Sequence, residues 1–366
     1  MRRSLLILAI SIILASLATP LAPIAAQTDK TARPSCVRTP IAVSLSPTAP
    51  TTSHVVGWLC RPTRNVRGDA IQLLVSGATY DHHYWDMPVD VDRDRYSYVH
   101  RTTRAGFTVL TIDRLGVGES DRPPADQLTV PVHAWVVHQI VQDLRNGKIG
   151  GTKFRTIIGV GHSLGSSILV CAAGSPSPDT AATACPGYGD LDAIILTGWL
   201  HQPNAASQAA SRASMHPAAD DPILRFRHQP SGYMTTRPGT RIRNYYNPAY
   251  ADRRTVATDE RLKQTVTTGE LATINLPRDP IYSRAIRVPV LIVVGAMDTL
   301  VCDGNTLPCF SSAAVSKRES PHFSDQAQLR IMVVPKAGHN TALHPNAPHW
   351  SQQTNRWAAS LRHTHR

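Results

Sequence analysis

Residues 156–173 read TIIGVGHSLGSSILVCAA, and this stretch decides the fold. It opens with a β-branched run of strand length, Thr156–Val160, and closes with a small, aliphatic run of helical length, Ser166–Ala173. Between them stands Gly161-His162-Ser163-Leu164-Gly165. A strand that turns sharply into a helix forces the central serine into a strained backbone, and glycines two residues to either side let neighbouring backbone pass without a Cβ clash. That turn exposes the Ser163 hydroxyl at a helix N-terminus. The G-x-S-x-G pattern alone is common; its place between strand and helix is what distinguishes it here.

Further short apolar runs lie at Ile71–Val75, Thr108–Ile112, Ala193–Leu196, Val290–Val294 and Leu329–Val334, separated by helix-length or longer segments. Strands spaced in this way predict an α/β protein with a mostly parallel central sheet flanked by helices. His54–Cys60 is expected as an antiparallel edge strand. Val130–Asn146 places Val132, Trp135, Val136, Ile140 and Leu144 on one stripe of a helix that ends at Asn146-Gly147. A last helix, from about Asn346 to Leu361, carries Trp350, Trp357 and Leu361.

Serine is a poor nucleophile at neutral pH, so a base must take its proton and a carboxylate must hold that base in the useful tautomer. In this strand order both partners should follow the serine, acid before histidine. Residues 288–298, VPVLIVVGAMD, place Asp298 just past a buried strand; residues 331–340, IMVVPKAGHN, place His339 just past the next. Three candidates in the right order, each at a strand end, make the expected triad, with Asp303 and His344 ranking second as acid and base. The oxyanion of a tetrahedral intermediate needs two donors: the backbone N–H of Leu164 and an amide in the loop Val75-Ser76-Gly77-Ala78-Thr79. Ala78 is the expected donor there, with Thr79 the alternative.

Residues 108–123, TVLTIDRLGVGESDRP, resemble the strand-and-turn signature D-x-R-G-x-G-x-S of the α/β-hydrolase family, with Leu115 where a glycine is usual. The resemblance covers residues 54–200 and 287–360 and implies the α/β-hydrolase fold, the triad and a pocket beneath a cap. The usual His-Gly before the oxyanion residue is replaced by Ser76-Gly77. Relatives that dehalogenate or open epoxides carry aspartate at the elbow, so Ser163 points instead to carboxylic ester, lactone or thioester hydrolysis through an acyl-enzyme. No cofactor is implied.

From His201 to about Arg287 the text turns polar and is broken by prolines, Pro203 to Pro280, too long for a simple loop; residues 201–286 are read as an inserted cap on a core of residues 27–200 and 287–366. Tyr80-Asp81-His82-His83-Tyr84-Trp85-Asp86 follows the oxyanion loop, and Tyr84 and Trp85, with Trp199 opposite, are expected to line the substrate pocket. His82 and His83 raise the question of a metal. Adjacent residues rarely face one ion and no third ligand is spaced suitably, so none is expected.

The leader MRRSLLILAISIILASLATPLAPIAAQ has two arginines, an apolar run broken by Pro20 and Pro23, and small residues at Ala25-Ala26, the pattern of a signal peptide over residues 1–26. Secretion without a stable membrane anchor is the expectation. Six cysteines fit an oxidising compartment and allow fifteen pairings, among which sequence proximity suggests Cys36–Cys60, Cys171–Cys185 and Cys302–Cys309. The net charge of +12 is scattered, without a run or motif for nucleic acid. A small-molecule or lipid-like ester is the expected partner. Two alternatives stand beside it. An aminopeptidase needs an acidic patch, for which only Asp220-Asp221 and Asp259-Glu260 offer themselves; a non-catalytic binding protein of this fold would commonly lack the serine or the base.

Overall fold

Strands that are apolar on both sides need cover on both faces of their sheet. In the computed structural model, which describes residues 34–361 except 63–67, 90–93, 176–183, 186 and 228, that cover comes from helices. The leader and its cleavage point lie outside the described residues. The strands are β1 (Ser35–Val43), β2 (Ser53–Arg61), β3 (Ala70–Val75), β4 (Thr108–Asp113), β5 (Thr156–His162), β6 (Ala193–Thr197), β7 (Met215–Pro217), β8 (Tyr233–Thr236), β9 (Val266–Thr267), β10 (Val290–Gly295) and β11 (Arg330–Val334). Eight form one sheet in the order β1-β2-β4-β3-β5-β6-β10-β11. The two pairs β1/β2 and β2/β4 run antiparallel, and the rest run parallel.

Period-two alternation splits the core across the sheet. Ile71, Leu73 and Val75 of β3, with Val290, Ile292 and Val294 of β10, join one apolar cluster. That cluster includes residues of helices α2 (Val130–Arg145) and α3 (Leu164–Ala173), whereas Ala70, Leu74, Leu291 and Val293 belong to a second, with Val99 of α1 (Tyr98–Arg104) and Trp350 of the last helix, Ala347–Ser360.

Two sequence expectations need correction. His54–Cys60 lies in an antiparallel strand, but that strand is not the edge, because β1 pairs with it along its whole length. Residues 35–43 alternate only weakly: Ile41 and Val43 are buried, most of β1 is exposed, and Pro40, which cannot donate to a ladder, suits an edge position. On α2, Val132 and Trp135 are only half-buried, while His133 is buried. The helix is rotated so that His133 Nε2 lies 2.8 Å from the carboxylate of Glu270, in the segment between β6 and β10.

That segment has structure of its own. It carries the antiparallel sheet β7-β8-β9 and helices α4 (Ala205–Ala213), α5 (Arg241–Tyr245), α6 (Arg253–Leu262), α7 (Thr268–Thr273) and α8 (Pro280–Arg284). It is stitched to the loop after β3 by two backbone hydrogen bonds, Thr79 N–H to Thr265 O at 3.2 Å and Gln264 N–H to Thr79 O at 2.9 Å. Three disulfides are present, Cys36–Cys60 across β1 and β2, Cys171–Cys185, and Cys302–Cys309. No helix among the described residues is long and apolar enough to cross a membrane.

Candidate active site

Ser163 stands between β5 and α3 with φ 52° and ψ −113°, a conformation costly for any residue with a Cβ. The neighbouring glycines make the turn feasible. A Cβ on Gly161 would lie 2.6 Å from Ser166 N, and one on Gly165 would lie 2.1 Å from the Val75 carbonyl oxygen. Ser163 N–H donates to Thr197 O at 2.8 Å, which pins the turn to β6, and its hydroxyl makes no capping bond to α3.

Asp298 and His339, each just past the C-terminal end of its strand, are buried and bonded. His339 Nδ1 lies 2.8 Å from Asp298 Oδ2, and Asp298 Oδ1 accepts the Leu300 N–H at 3.0 Å. His339 and Ser163 line one cavity. The second-ranked candidates have other duties. Asp303 is closed on its own loop, where hydrogen bonds from the Thr306 hydroxyl and the Leu307 amide hold its carboxyl down to about 2. His344 Nε2 accepts from the amides of Gly338 and Asn247, both at 3.1 Å, so the ring braces the loop that carries His339.

Leu164 opens α3, where a first-turn amide has no helical acceptor, and Ala78 lines the cavity. Thr79, the alternative donor, has its N–H engaged by Thr265 O. The loop before Ala78 is held by a buried arginine whose role the sequence did not disclose. Arg114 Nε donates to Ser76 O at 3.1 Å, Nη2 donates to Gly77 O at 2.9 Å, and Nη1 pairs with Glu270. Arg114 was legible only as one letter of the signature after β4; its acid lies 156 residues away. Gly77 passes close to the serine, since a Cβ there would lie 2.9 Å from His162 Cδ2 and 3.2 Å from Ser163 Cβ.

His162 is fully buried. Its Nδ1 lies 3.0 Å from Thr197 Oγ1 and its Nε2 lies 3.2 Å from Asn340 Oδ1. Burial, and then the nearby His339, push its pKa well below the ordinary histidine range, so it stays neutral. Asn340 Nδ2 in turn donates to Tyr80 Oη at 2.6 Å, and Tyr80 Oη donates to Asp259 at 3.1 Å. Arg241 closes this network, paired with Asp259 at 2.8 Å and lying 4.3 Å from the Tyr80 ring centre.

The three aromatic residues expected in the pocket are not among its lining. Tyr84 stacks on His162 with ring centres 4.1 Å apart, and Trp85 packs edge-on to Tyr84 within the core. The short 3-10 turn His82–Tyr84, capped by the Asp81 carboxylate, swings both rings inward. Trp199 is buried with its Nε1 donating to Ser167 Oγ at 3.1 Å, beneath rather than within the cavity wall. The wall is instead made by Tyr80, Leu300 and Val301 from the core and, from the segment between β6 and β10, by Met215, Tyr245, Leu271 and Ile274, with Gln208, Arg212 and Arg278 as polar members. The cavity is narrow, about 60 Å³.

Contrary to expectation from the sequence, His82 and His83 do have a suitably placed third group, since the Asp81 carboxylate and both imidazoles offer ligand atoms within 4.8 Å of one another. Those carboxylate oxygens are already engaged. Asp81 Oδ1 accepts from the His83 amide at 3.0 Å and Oδ2 from Gln264 Nε2 at 2.8 Å, while Asp113 Oδ1 holds the His82 amide at 2.9 Å.

A mostly parallel sheet with a strained serine after β5, and an acid and a histidine just past the ends of the last two strands, defines the architecture of an α/β hydrolase. The chain belongs to the alpha/beta hydrolase family, which it matches over residues 72–351. Among solved structures it is similar to a soluble variant of monoglyceride lipase from Saccharomyces cerevisiae in complex with a substrate analogue. There the identity is 12%, the match covers 90% of this chain and 96% of that one, and the TM-score is 0.58. It is also similar to a thermophilic esterase from Thermogutta terrifontis, at 18% identity, 89% and 99% coverage and a TM-score of 0.52. At such identities the likeness is one of fold. No curated protein matches the chain.

Proposed function

We propose that the protein is a secreted serine hydrolase that cleaves a small carboxylic ester through an acyl-enzyme on Ser163. The observation that carries this reading is the meeting of three features at one cavity: the strained, uncapped Ser163, the His339 ring, and Asp298 bonded to that ring's far nitrogen at 2.8 Å. In this reading His339 Nε2 takes the Ser163 proton as Oγ attacks the ester carbonyl, and Asp298 fixes the tautomer and stabilises the imidazolium. The amides of Ala78 and Leu164 receive the oxyanion. His339 then protonates the leaving alcohol, and water, activated by the same ring, releases the acid. Residues 201–286 act as the cap that closes the cavity over the substrate. Three disulfides and the leader's pattern of charge, apolar run and small residues support export. No Asp or Glu is among the described residues lining the cavity, which disfavours an aminopeptidase, whose substrate amine needs one.

The test is intact-mass analysis after treatment with a fluorophosphonate, under non-reducing conditions. A single adduct on the wild type and none on Ser163→Ala is the expected result. A folded wild type that takes up no label would overturn the reading.

A further inference from the structure

Among the described residues, two guanidinium groups line the cavity with Ser163 and His339, and no carboxylate does. Arg278, from the 3-10 turn Leu276–Arg278, is held rigidly. Its Nη1 donates to Leu200 O, its Nε donates to Asn275 Oδ1 at 3.0 Å, and its Cζ lies 5.5 Å from the centre of the Trp199 ring. Its Nη2 has no acceptor among the described residues. Burial lowers its pKa to about 10, so it remains a cation at neutral pH. The two acids that influence it are committed elsewhere: Glu319 lies 2.6 Å from His201 Nδ1, and Asp298 holds His339. Arg212 is exposed and has no ion pair among the described residues. It shares one face of α4 with Gln208 and Ser211, which also line the cavity, and Asn275 Nδ2 reaches Gln208 Oε1 at 3.5 Å.

A half-buried, fixed cation at the wall of the cavity, without a protein counter-ion among the described residues, offers an anionic ligand a charge to pair with. A guanidinium with one unpartnered nitrogen, Nη2, can donate to a carboxylate. We propose, resting on ester hydrolysis at Ser163, that the substrate is a short ester carrying a carboxylate, with Arg278 anchoring the charge and Arg212 guiding it from outside. The cavity has room for roughly four or five water-sized groups, which favours a short chain next to Ser163.

The test compares kcat/KM for matched esters followed by pH-stat: monomethyl glutarate against methyl pentanoate for a charge on the acyl side, and 3-acetoxypropanoate against propyl acetate for one on the alcohol side. In at least one pair the charged ester should be preferred by roughly ten- to a hundredfold, the worth of a hydrogen-bonded charge. Arg278→Met should erase most of that ratio through KM. Arg212→Gln, at an exposed site that tolerates change, should reduce it a few-fold and weaken its salt dependence. Equal or lower kcat/KM for the charged ester in both pairs, or a ratio that survives both substitutions, would sink the proposal. If neither the esters nor the fluorophosphonate react, ester hydrolysis fails separately. Titration with glutarate, read by calorimetry, then decides: binding to the wild type that Arg278→Met loses sustains the anion site, and no binding to the wild type overturns it.

Discussion

Replacing Glu270 with glutamine should both destabilise the fold and loosen the candidate oxyanion loop. Glu270 is 1% exposed, pairs with Arg114, lies 2.8 Å from His133 Nε2 and accepts the Thr267 amide at 2.7 Å. Burial alone would raise its pKa, but the Arg114 charge, His133 and that amide together carry it from 4.5 down to about 2. At about 1.4 kcal/mol per unit this differential is worth about 3 kcal/mol. Breaking a buried ion pair from one side typically costs about 3–5 kcal/mol, so two independent routes agree. The sign follows from the lowered folded-state pKa. The stabilisation is complete above the unfolded-state value of 4.5 and is lost as pH falls through about 2. Chemical denaturation of wild type and Glu270→Gln should therefore differ by about 3 kcal/mol at pH 7, and by roughly half of that or less at pH 3. Because Arg114 also holds the Ser76 and Gly77 carbonyls, kcat should fall by about tenfold or more. A stability loss below about 1 kcal/mol at pH 7, or a loss that is the same at pH 7 and pH 3, would refute the reasoning.

Other perturbations address the elbow and the acid's loop. Gly77→Ala puts a methyl 2.9 Å from the His162 ring and 3.2 Å from Ser163 Cβ, and should cut turnover by about tenfold or more while circular dichroism stays native. The double substitution Cys302→Ser, Cys309→Ser opens the loop that places Leu300 and Val301 in the cavity wall. It should lower stability by roughly 2–3 kcal/mol in denaturant melts and reduce turnover, and unchanged turnover would mean that the staple does not position Asp298.

The features legible along the chain are those that local chemistry enforces. A strand, five residues with glycines at both ends and then a helix favour the strained turn seen at Ser163, so the elbow was readable from 18 letters, residues 156–173. The central strands were readable because burial on both faces demands unbroken apolar runs, and the Asp298 and His339 candidates because each follows such a run directly. The remaining features depend on partners distant in the chain. Strand β1 owes its place to pairing with β2 rather than to any pattern of its own. Tyr84, Trp85 and Trp199 look like pocket residues in the text, yet each turns into the core. Their direction is set by the Asp81 cap, by His162 and by Ser167, none of which is implied by an aromatic letter. Arg114 finds Glu270, and Arg212 and Arg278 reach one cavity, only after the segment between β6 and β10 has folded back over the sheet. Charge complementarity acts through space, and the distance between two residues along the chain says little about it.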